Sequence, residues 1–245
     1  MIIAGMQKLS LVDYPGHLSL VVFLQGCNFK CDYCHNPDLI SHLKKFELSE
    51  KDFFEYLASR KKVIEGVVVT GGEPTIHSDL PAFLKKIKKA GFKVKLDTNG
   101  SNPRLLEQLI CDGILDYIAM DIKTSFTKYS SVTSEAGIAK KVIESIGLIL
   151  FSTTPYEFRT TCVPGIVNAE DFMEIGEKVK NAKRYCLHQF QNQLTYNKDF
   201  QKIEPYSKKE INRFRDILEG FVETVDVRGL VGKTGDMPFR AERES

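Results

Sequence analysis

Along the chain, short apolar runs alternate with stretches in which apolar residues recur every three or four positions, the signature of strands alternating with amphipathic helices. Leu18–Leu24 is the first strand candidate. A helix follows from the capping box Ser49 and Asp52, carrying Phe53, Phe54 and Leu57. Val67–Val69 is a β-branched run that ends in Thr70-Gly71-Gly72-Glu73-Pro74. Ser78 then caps a helix with Leu80, Phe83, Leu84 and Ile87 on one face, closed by Gly91. Strand Val94–Asp97 leads to a helix opened by Asn102 and Pro103, with Leu105, Leu106, Leu109 and Ile110 as its apolar side. Tyr117–Asp121, Phe158–Val163 and Tyr185–Phe190 are further strands. The helices after them carry Val142 and Ile146, then Phe172 and Ile175 behind Asn168, then Ile211 and Phe214 behind the box Ser207 and Glu210. Phe221–Val227 closes the series.

Six strand–helix pairs and a last strand, joined by short connections, predict an α/β parallel sheet. No linker, repeat or low-complexity stretch divides it, so residues 1–229 are expected to form one domain and 230–245 a polar, flexible tail. An open doubly wound sheet and an incomplete (β/α)6 barrel both fit the alternation. Polar residues crowd the C-terminal ends of successive strands, at Gly26–Cys34, Thr70–Pro74, Asp97–Gly100, Asp121–Lys123 and Val163–Gly165. Barrels build sites on that whole rim, whereas open sheets use strand ends near one switch point. The incomplete, TIM-like barrel is the better reading.

Composition changes this picture little until the cysteines. A 42% apolar, 27% charged chain is an ordinary globular protein, and a net charge of +2 is too balanced to make nucleic acid its main partner. No apolar run spans a membrane and no secretory signal is evident, which makes the expected compartment the cytoplasm. Thiols there more often bind metal or fill cores than form disulfides. Cys111, Cys162 and Cys186 are isolated among apolar neighbours and read as small buried hydrophobes. Cys27, Cys31 and Cys34 share one loop. A Cys3His zinc site would need His35, which directly follows Cys34 and reaches the same ion awkwardly. The haem attachment pattern C-x-x-C-H belongs to exported proteins. A plain iron–sulfur carrier would have a fourth thiolate nearby. The other reading is a cubane cluster with three thiolates and one iron left open.

Cys27-x3-Cys31-x2-Cys34 after a strand, with Tyr33 before the third cysteine and Gly71-Gly72-Glu73-Pro74 after the next strand, resembles the radical S-adenosylmethionine (SAM) enzymes. Ser10-Leu11-Val12-Asp13-Tyr14-Pro15-Gly16, Gln25-Gly26-Cys27-Asn28-Phe29, Tyr33-Cys34-His35-Asn36-Pro37, Asp97-Thr98-Asn99-Gly100, Asp121-Ile122-Lys123 and Val163-Pro164-Gly165 extend the likeness over residues 7–229. Within that superfamily the chain looks like a compact activating enzyme of glycyl-radical enzymes, above all of anaerobic ribonucleoside-triphosphate reductase, with pyruvate formate-lyase activators as near relatives.

The resemblance implies a 4Fe–4S cluster on Cys27, Cys31 and Cys34 whose open iron chelates SAM. One electron from a flavodoxin- or ferredoxin-type donor then yields methionine and a 5′-deoxyadenosyl radical, which takes hydrogen from a glycyl-radical enzyme. It implies SAM contacts from Tyr33, Gly71, Gly72, Glu73, Pro74, Asp97, Asn99, Asp121, Lys123, Arg159 and Val163. Glu73 would accept from the SAM ammonium, Asp97 would serve the ribose or ammonium end, and Lys123 and Arg159 would pair with its carboxylate. The blander readings are a plain turn for the glycines, a cap for Asp97, and surface charges for Lys123 and Arg159. Lys85, Lys86, Lys88 and Lys89 read as a solvated helix face, with a docking patch as the sharper alternative. A radical SAM enzyme acting on a pterin, resembling 7-carboxy-7-deazaguanine synthase, is the rival function, and a non-catalytic metal module the rival class.

Overall fold

The computed structural model describes residues 1–40 and 48–230. Strands β1 (Ile3–Ser10), β2 (Ser19–Leu24), β3 (Gly66–Gly71), β4 (Lys93–Thr98), β5 (Tyr117–Asp121), β6 (Tyr156–Cys162), β7 (Tyr185–Gln189) and β8 (Val225–Arg228) form one sheet in sequential order. All pairs from β2 to β8 are parallel, and β1 lies antiparallel on β2. The crossovers contain α1 (Pro37–Ile40) and α2 (Glu50–Ser59), then α3 (Leu80–Lys89), α4 (Pro103–Cys111), α5 (Ile138–Phe151), α6 (Ala169–Lys178) and α7 (Lys208–Leu218). This is the expected (β/α)6 partial barrel with its seventh parallel strand. The tail at 231–245 lies outside the described residues.

Strand parity sorts the side chains into two layers. Leu20, Val22, Leu24, Val67, Val69, Leu96, Ile118, Met120, Phe158 and Leu187 point outward into one core shared with the helices. The alternate residues face the concave side, where Tyr14, Val21, Val68 and Tyr117 form a separate apolar floor. Above that floor Asp97 of β4 reaches Arg159 of β6, and Glu157 of β6 reaches Arg228 of β8. Side chains two strands apart meet only where the sheet curls, so these contacts record the curvature of a barrel. Among the described residues no pair joins β8 to β1, and the barrel stays open there.

Several sequence expectations shift. The antiparallel edge β1 carries a weak pattern because six of its eight residues are half-buried or exposed, so no clean alternation marks it. The last strand begins at Val225 rather than Phe221, which lies in the turn after α7. Asp79, not Ser78, occupies the N-cap of α3, and makes no side-chain cap bond. Cys162 and Cys186 are buried as expected, but Cys111 is exposed. It sits two residues past the buried Leu109 and so falls off the inward stripe of α4. The lysine face of α3 is not merely solvated. Lys85 pairs with Asp112, Lys86 with Glu50 and Lys88 with Asp116, at 3.0, 2.6 and 2.8 Å.

The capping box of α6 ties a helix to the site rim. Asn168 Oδ1 accepts from Asp171 N at 3.0 Å, and Asp171 Oδ2 accepts from Asn168 N at 2.9 Å. Asp171 also accepts from Ser125 Oγ at 2.6 Å and Lys128 Nζ at 2.8 Å, in the loop after β5. Asn168→Ala removes the cap and is expected to cost about 1 kcal/mol. A thermal melt should show a midpoint roughly 2–4 °C lower.

Candidate functional site

β2 runs straight into the cysteine loop, and backbone bonds from three other segments fix that loop. Gln25 N donates to Ile2 O at 3.0 Å, Lys30 N to Val132 O at 3.3 Å, and Asn197 N to Asp32 O at 2.9 Å. Within it, Cys34 N donates to Cys31 O at 3.0 Å, and Cys27 Sγ accepts from Phe29 N at 3.4 Å. Burial pushes the Cys27 thiol up to about 12 and the Cys31 thiol up to about 11, and raises Cys34 as well. Lys123 pulls all three in the opposite direction. These thiols keep their protons until something of positive charge displaces them, as metal ligation does. His35 is drawn down by burial and by Lys123, and its ring stacks obliquely on Phe190 at 6.1 Å. Among the described residues no three Cys, His, Asp or Glu side chains group as ligands of one ion. A cubane spreads its thiolates over different irons, and a single loop carrying three of them suits that better than a mononuclear site.

The loop after β3 is zipped to the cysteine loop. Gly72 N donates to Leu24 O at 2.9 Å and Glu73 N to Gly26 O at 2.8 Å. A Cβ on Gly72 would lie 1.9 Å from Gly26 O, and one on Gly71 would lie 2.3 Å from Leu24 N. Gly71 also holds φ at +122°, a conformation other residues rarely adopt. The glycines are therefore demanded by the neighbouring chain itself, whatever approaches from the lumen.

Glu73 is 1% exposed and does a bracing job. Its Oε1 accepts from Thr75 N, Thr75 Oγ1 and Thr98 Oγ1 at 3.0, 2.6 and 2.7 Å, and Oε2 accepts from Asn99 N at 2.6 Å. Pro74 opens the 3₁₀ turn that Glu73 caps. Asn99 Nδ2 donates to Asn28 Oδ1 at 3.0 Å, and Asn28 Nδ2 to Ser101 Oγ at 2.9 Å. The ends of β3 and β4 are thereby tied to the residue after Cys27. Oε1 is saturated by the protein, while Oε2 keeps room for a further donor.

Across the lumen runs a ladder of alternating charges. Lys95 Nζ lies 2.5 Å from Asp97 Oδ1, Arg159 Nη1 donates to Asp97 Oδ2 at 3.1 Å, and Arg159 Nε to Asp121 Oδ1 at 2.7 Å. Lys123 Nζ donates to Asp121 Oδ2 at 2.9 Å. Burial, the largest single effect, pushes both carboxyls up, but Arg159 and Lys95 together outweigh it at Asp97, and Arg159 and Lys123 at Asp121, so both lie below the usual carboxylate range. Arg159 and Lys123 are inward-facing cations, not surface charges. Among the described residues three buried polar atoms around the ladder have no hydrogen-bond partner, Tyr33 Oη, Tyr117 Oη and His188 Nε2. Tyr33 feels Cys31 and Asp121, and His188 is drawn down to about 4 by burial and then by Arg159. Orphaned polar atoms beside a cationic ladder mark a cradle shaped for a polar ligand. Val163 is buried in the tight turn after β6, with its amide donating to Thr161 O at 3.0 Å, and Gly165 follows at φ +84°.

Sequence reasoning passed over Lys95, Asn28 and Thr98. Lys95 had a readable signal, a lysine at the same parity as Asp97 in a strand with apolar residues between. Asn28 and Thr98 had none, since their roles exist only where two loops meet.

The Radical SAM superfamily model matches residues 21–179. A candidate glycyl-radical enzyme activating enzyme of Methanocaldococcus jannaschii is 33% identical over 94% of this chain and 97% of its own. The pyruvate formate-lyase-activating enzyme of Streptococcus mutans is 31% identical over 70% of this chain and 69% of its own. Among solved structures, Streptococcus suis SuiB bound to S-adenosylmethionine superimposes with a TM-score of 0.61 at 14% identity, covering 85% of this chain and 52% of that one.

The depressed carboxyl groups set a pH dependence. A carboxyl lowered in the folded chain stabilises it above the unfolded value near ~4 and stops doing so as pH falls through the folded value. Metal-free protein should therefore lose stability in acid. Asp121→Asn should make that loss shallower in denaturant titrations run from about pH 7 down to about pH 2. An unchanged acid slope would count against the ladder as its source.

Proposed function

Because the chain belongs to the radical SAM superfamily, and within it to the activating enzymes of glycyl-radical enzymes, we propose that it installs a radical on a backbone glycine of anaerobic ribonucleoside-triphosphate reductase. The observation that carries this reading is the placement of three thiols of one loop, itself bound to the Gly72–Glu73 segment, beside a cationic lumen. Cys27, Cys31 and Cys34 would hold the cluster, and the lumen would hold SAM. When bound, that pair supplies one-electron scission of a sulfonium C–S bond and the hydrogen abstraction that follows.

The chain's own residues bind, orient and exclude water. Lys123 and Arg159 present positive charge to a carboxylate. Asp121 and Asp97 keep those two side chains aimed, at the cost of some of that charge. Glu73 Oε2, which accepts one bond, from Asn99 N, would accept another from an ammonium group. Tyr33 Oη and Asn99 offer polar contacts, and Val163 a flat apolar one for the adenine. Phe29, 2% exposed and edge-on to Tyr129 at 6.4 Å, helps keep the cysteine loop dry. Among the described residues the side between β8 and β1 is open, and a partner's glycine-bearing loop would enter there, while a flavodoxin- or ferredoxin-type protein would deliver the electron. Among the described residues no helix is long and apolar enough to cross a membrane.

Anaerobic reconstitution with iron and sulfide should give a brown protein that releases methionine and 5′-deoxyadenosine with dithionite. Replacing Cys27, Cys31 or Cys34 with Ala should abolish both colour and cleavage. Cys111→Ala, Cys162→Ala and Cys186→Ala should retain both. Zinc in place of iron, with no cleavage after reconstitution, would overturn the radical chemistry. Mixed anaerobically with the reductase, the loaded protein should produce a doublet electron-spin-resonance signal on it. Turnover of a pterin without that signal would reassign the substrate to a small molecule.

A further inference from the structure

Lys95 is out of place by the usual rules of burial. It is 1% exposed, on the concave face of β4, and its register neighbours on that face are Val68 of β3 and Tyr117 of β5. Both belong to the apolar floor with Tyr14 and Val21. The Tyr117 ring lies 5.9 Å from Nζ. The ammonium's charged partner is Asp97 directly above, through Oδ1. An ion pair set into an apolar layer is weak evidence for stability, because two apolar side chains of similar volume would fill the same space as well. What they would not do is set the charge of the layer above.

That charge can be counted. Asp97 and Asp121 contribute two negative charges to the ladder, and Arg159 and Lys123 two positive ones, while Glu157, two residues before Arg159 on β6, is held by Arg228 and leaves the count unchanged. Without Lys95 the ladder is neutral, and any carboxylate arriving in the lumen competes with Asp97 and Asp121 for cations they already satisfy. With Lys95 the ladder carries one positive charge in excess. The excess is expressed at Lys123 and Arg159, 20% and 12% exposed, because Lys95 itself is sealed beneath Asp97.

We propose that Lys95 is a positioning residue of the cofactor cradle: it neutralises Asp97 from below, so that Arg159 and Lys123 are left one positive charge in excess for the carboxylate of the bound ligand. The assignment rests on the reading of the lumen as the SAM site. It differs from a packing role in one respect, that it discriminates between ligands by their charge. Lys95 would favour SAM and disfavour its decarboxylated form, which carries an ammonium and a sulfonium and has no carboxylate to set against the excess charge.

The test measures binding, not turnover. Cluster-loaded protein is titrated anaerobically, by calorimetry, with SAM and with decarboxylated SAM, using the unsubstituted chain, Lys95→Met, Lys95→Arg and Lys95→Met/Asp97→Asn. Lys95→Met should weaken SAM about tenfold or more and leave decarboxylated SAM no weaker than before, given the strength of one charge in a partly dry site. Lys95→Arg should stay near the unsubstituted value. The double variant should recover most of the loss, because removing Asp97's charge restores the excess even though the lysine is gone. If Lys95→Met misfolds, Lys95→Gln, which removes the charge but keeps a polar end group, carries the same expectations. Equal weakening of both ligands, unaltered SAM affinity in Lys95→Met, or a folded double variant as weak as a folded single one would each overturn the assignment. Failure of the unsubstituted chain to bind SAM would instead overturn the proposed function, and the assignment with it.

Discussion

Two hydrogen bonds and two absent side chains hold the site's halves together. Gly72 and Glu73 extend the β2–β3 pairing by two rungs beyond the sheet, onto the carbonyls of Leu24 and Gly26. That extension is possible only because Gly71 and Gly72 have no Cβ to strike the facing chain. Everything else inherits its position from this seam. The cysteine loop is anchored by it at its first residue, Glu73 is driven inward by it, and Glu73 in turn fixes the end of β4 through Thr98 and Asn99. A pair of loops that would otherwise move independently becomes one rigid rim.

Beneath the rim the lumen solves a different problem. Cations that face inward in a barrel are costly unless paired, and cations fully paired are poor at binding anything else. The alternation from Lys95 to Lys123 settles between these limits. Each carboxylate is shared by two cations, each end of the ladder is a lysine, and only one end opens toward the thiols. Catalysis by the family's cofactors needs such a preorganised field more than it needs reactive side chains, and the described residues supply little else in the lumen.

How much of this was legible beforehand follows physical lines. The parallel strands were readable because burial on both faces makes near-continuous apolar runs, as at Val67–Val69, and the helices because caps such as Asn168 and Ser207 mark their starts. The edge strand Ile3–Ser10 was not, since a half-exposed edge imposes no strong pattern. The three thiols and the glycine pair announced themselves by spacing alone. Glu73, Asp97 and Arg159 stand out in the sequence, but Thr98 and Asn28 take their roles only where loops meet, and the parity of Lys95 with Asp97 hints at a role without showing the pairing. Cys111 shows the opposite failure, an apolar neighbourhood in sequence that turned out to be the outer side of a helix.

The sequential strand order has a consequence for how the chain becomes competent. Each strand pairs with the one made just before it, so the sheet can grow from one edge as synthesis proceeds. The thiols emerge with β2, but the cations that face them arrive with β5 and β6, more than eighty residues later in the case of Lys123 and Arg159. Until then three cysteines stand in a loop without the charges that tune them or the layer that shields them. For the nascent protein, the interval between Cys34 and Arg159 is a window of exposure, and the order of assembly makes oxygen and stray metal ions hazards of birth as well as of use.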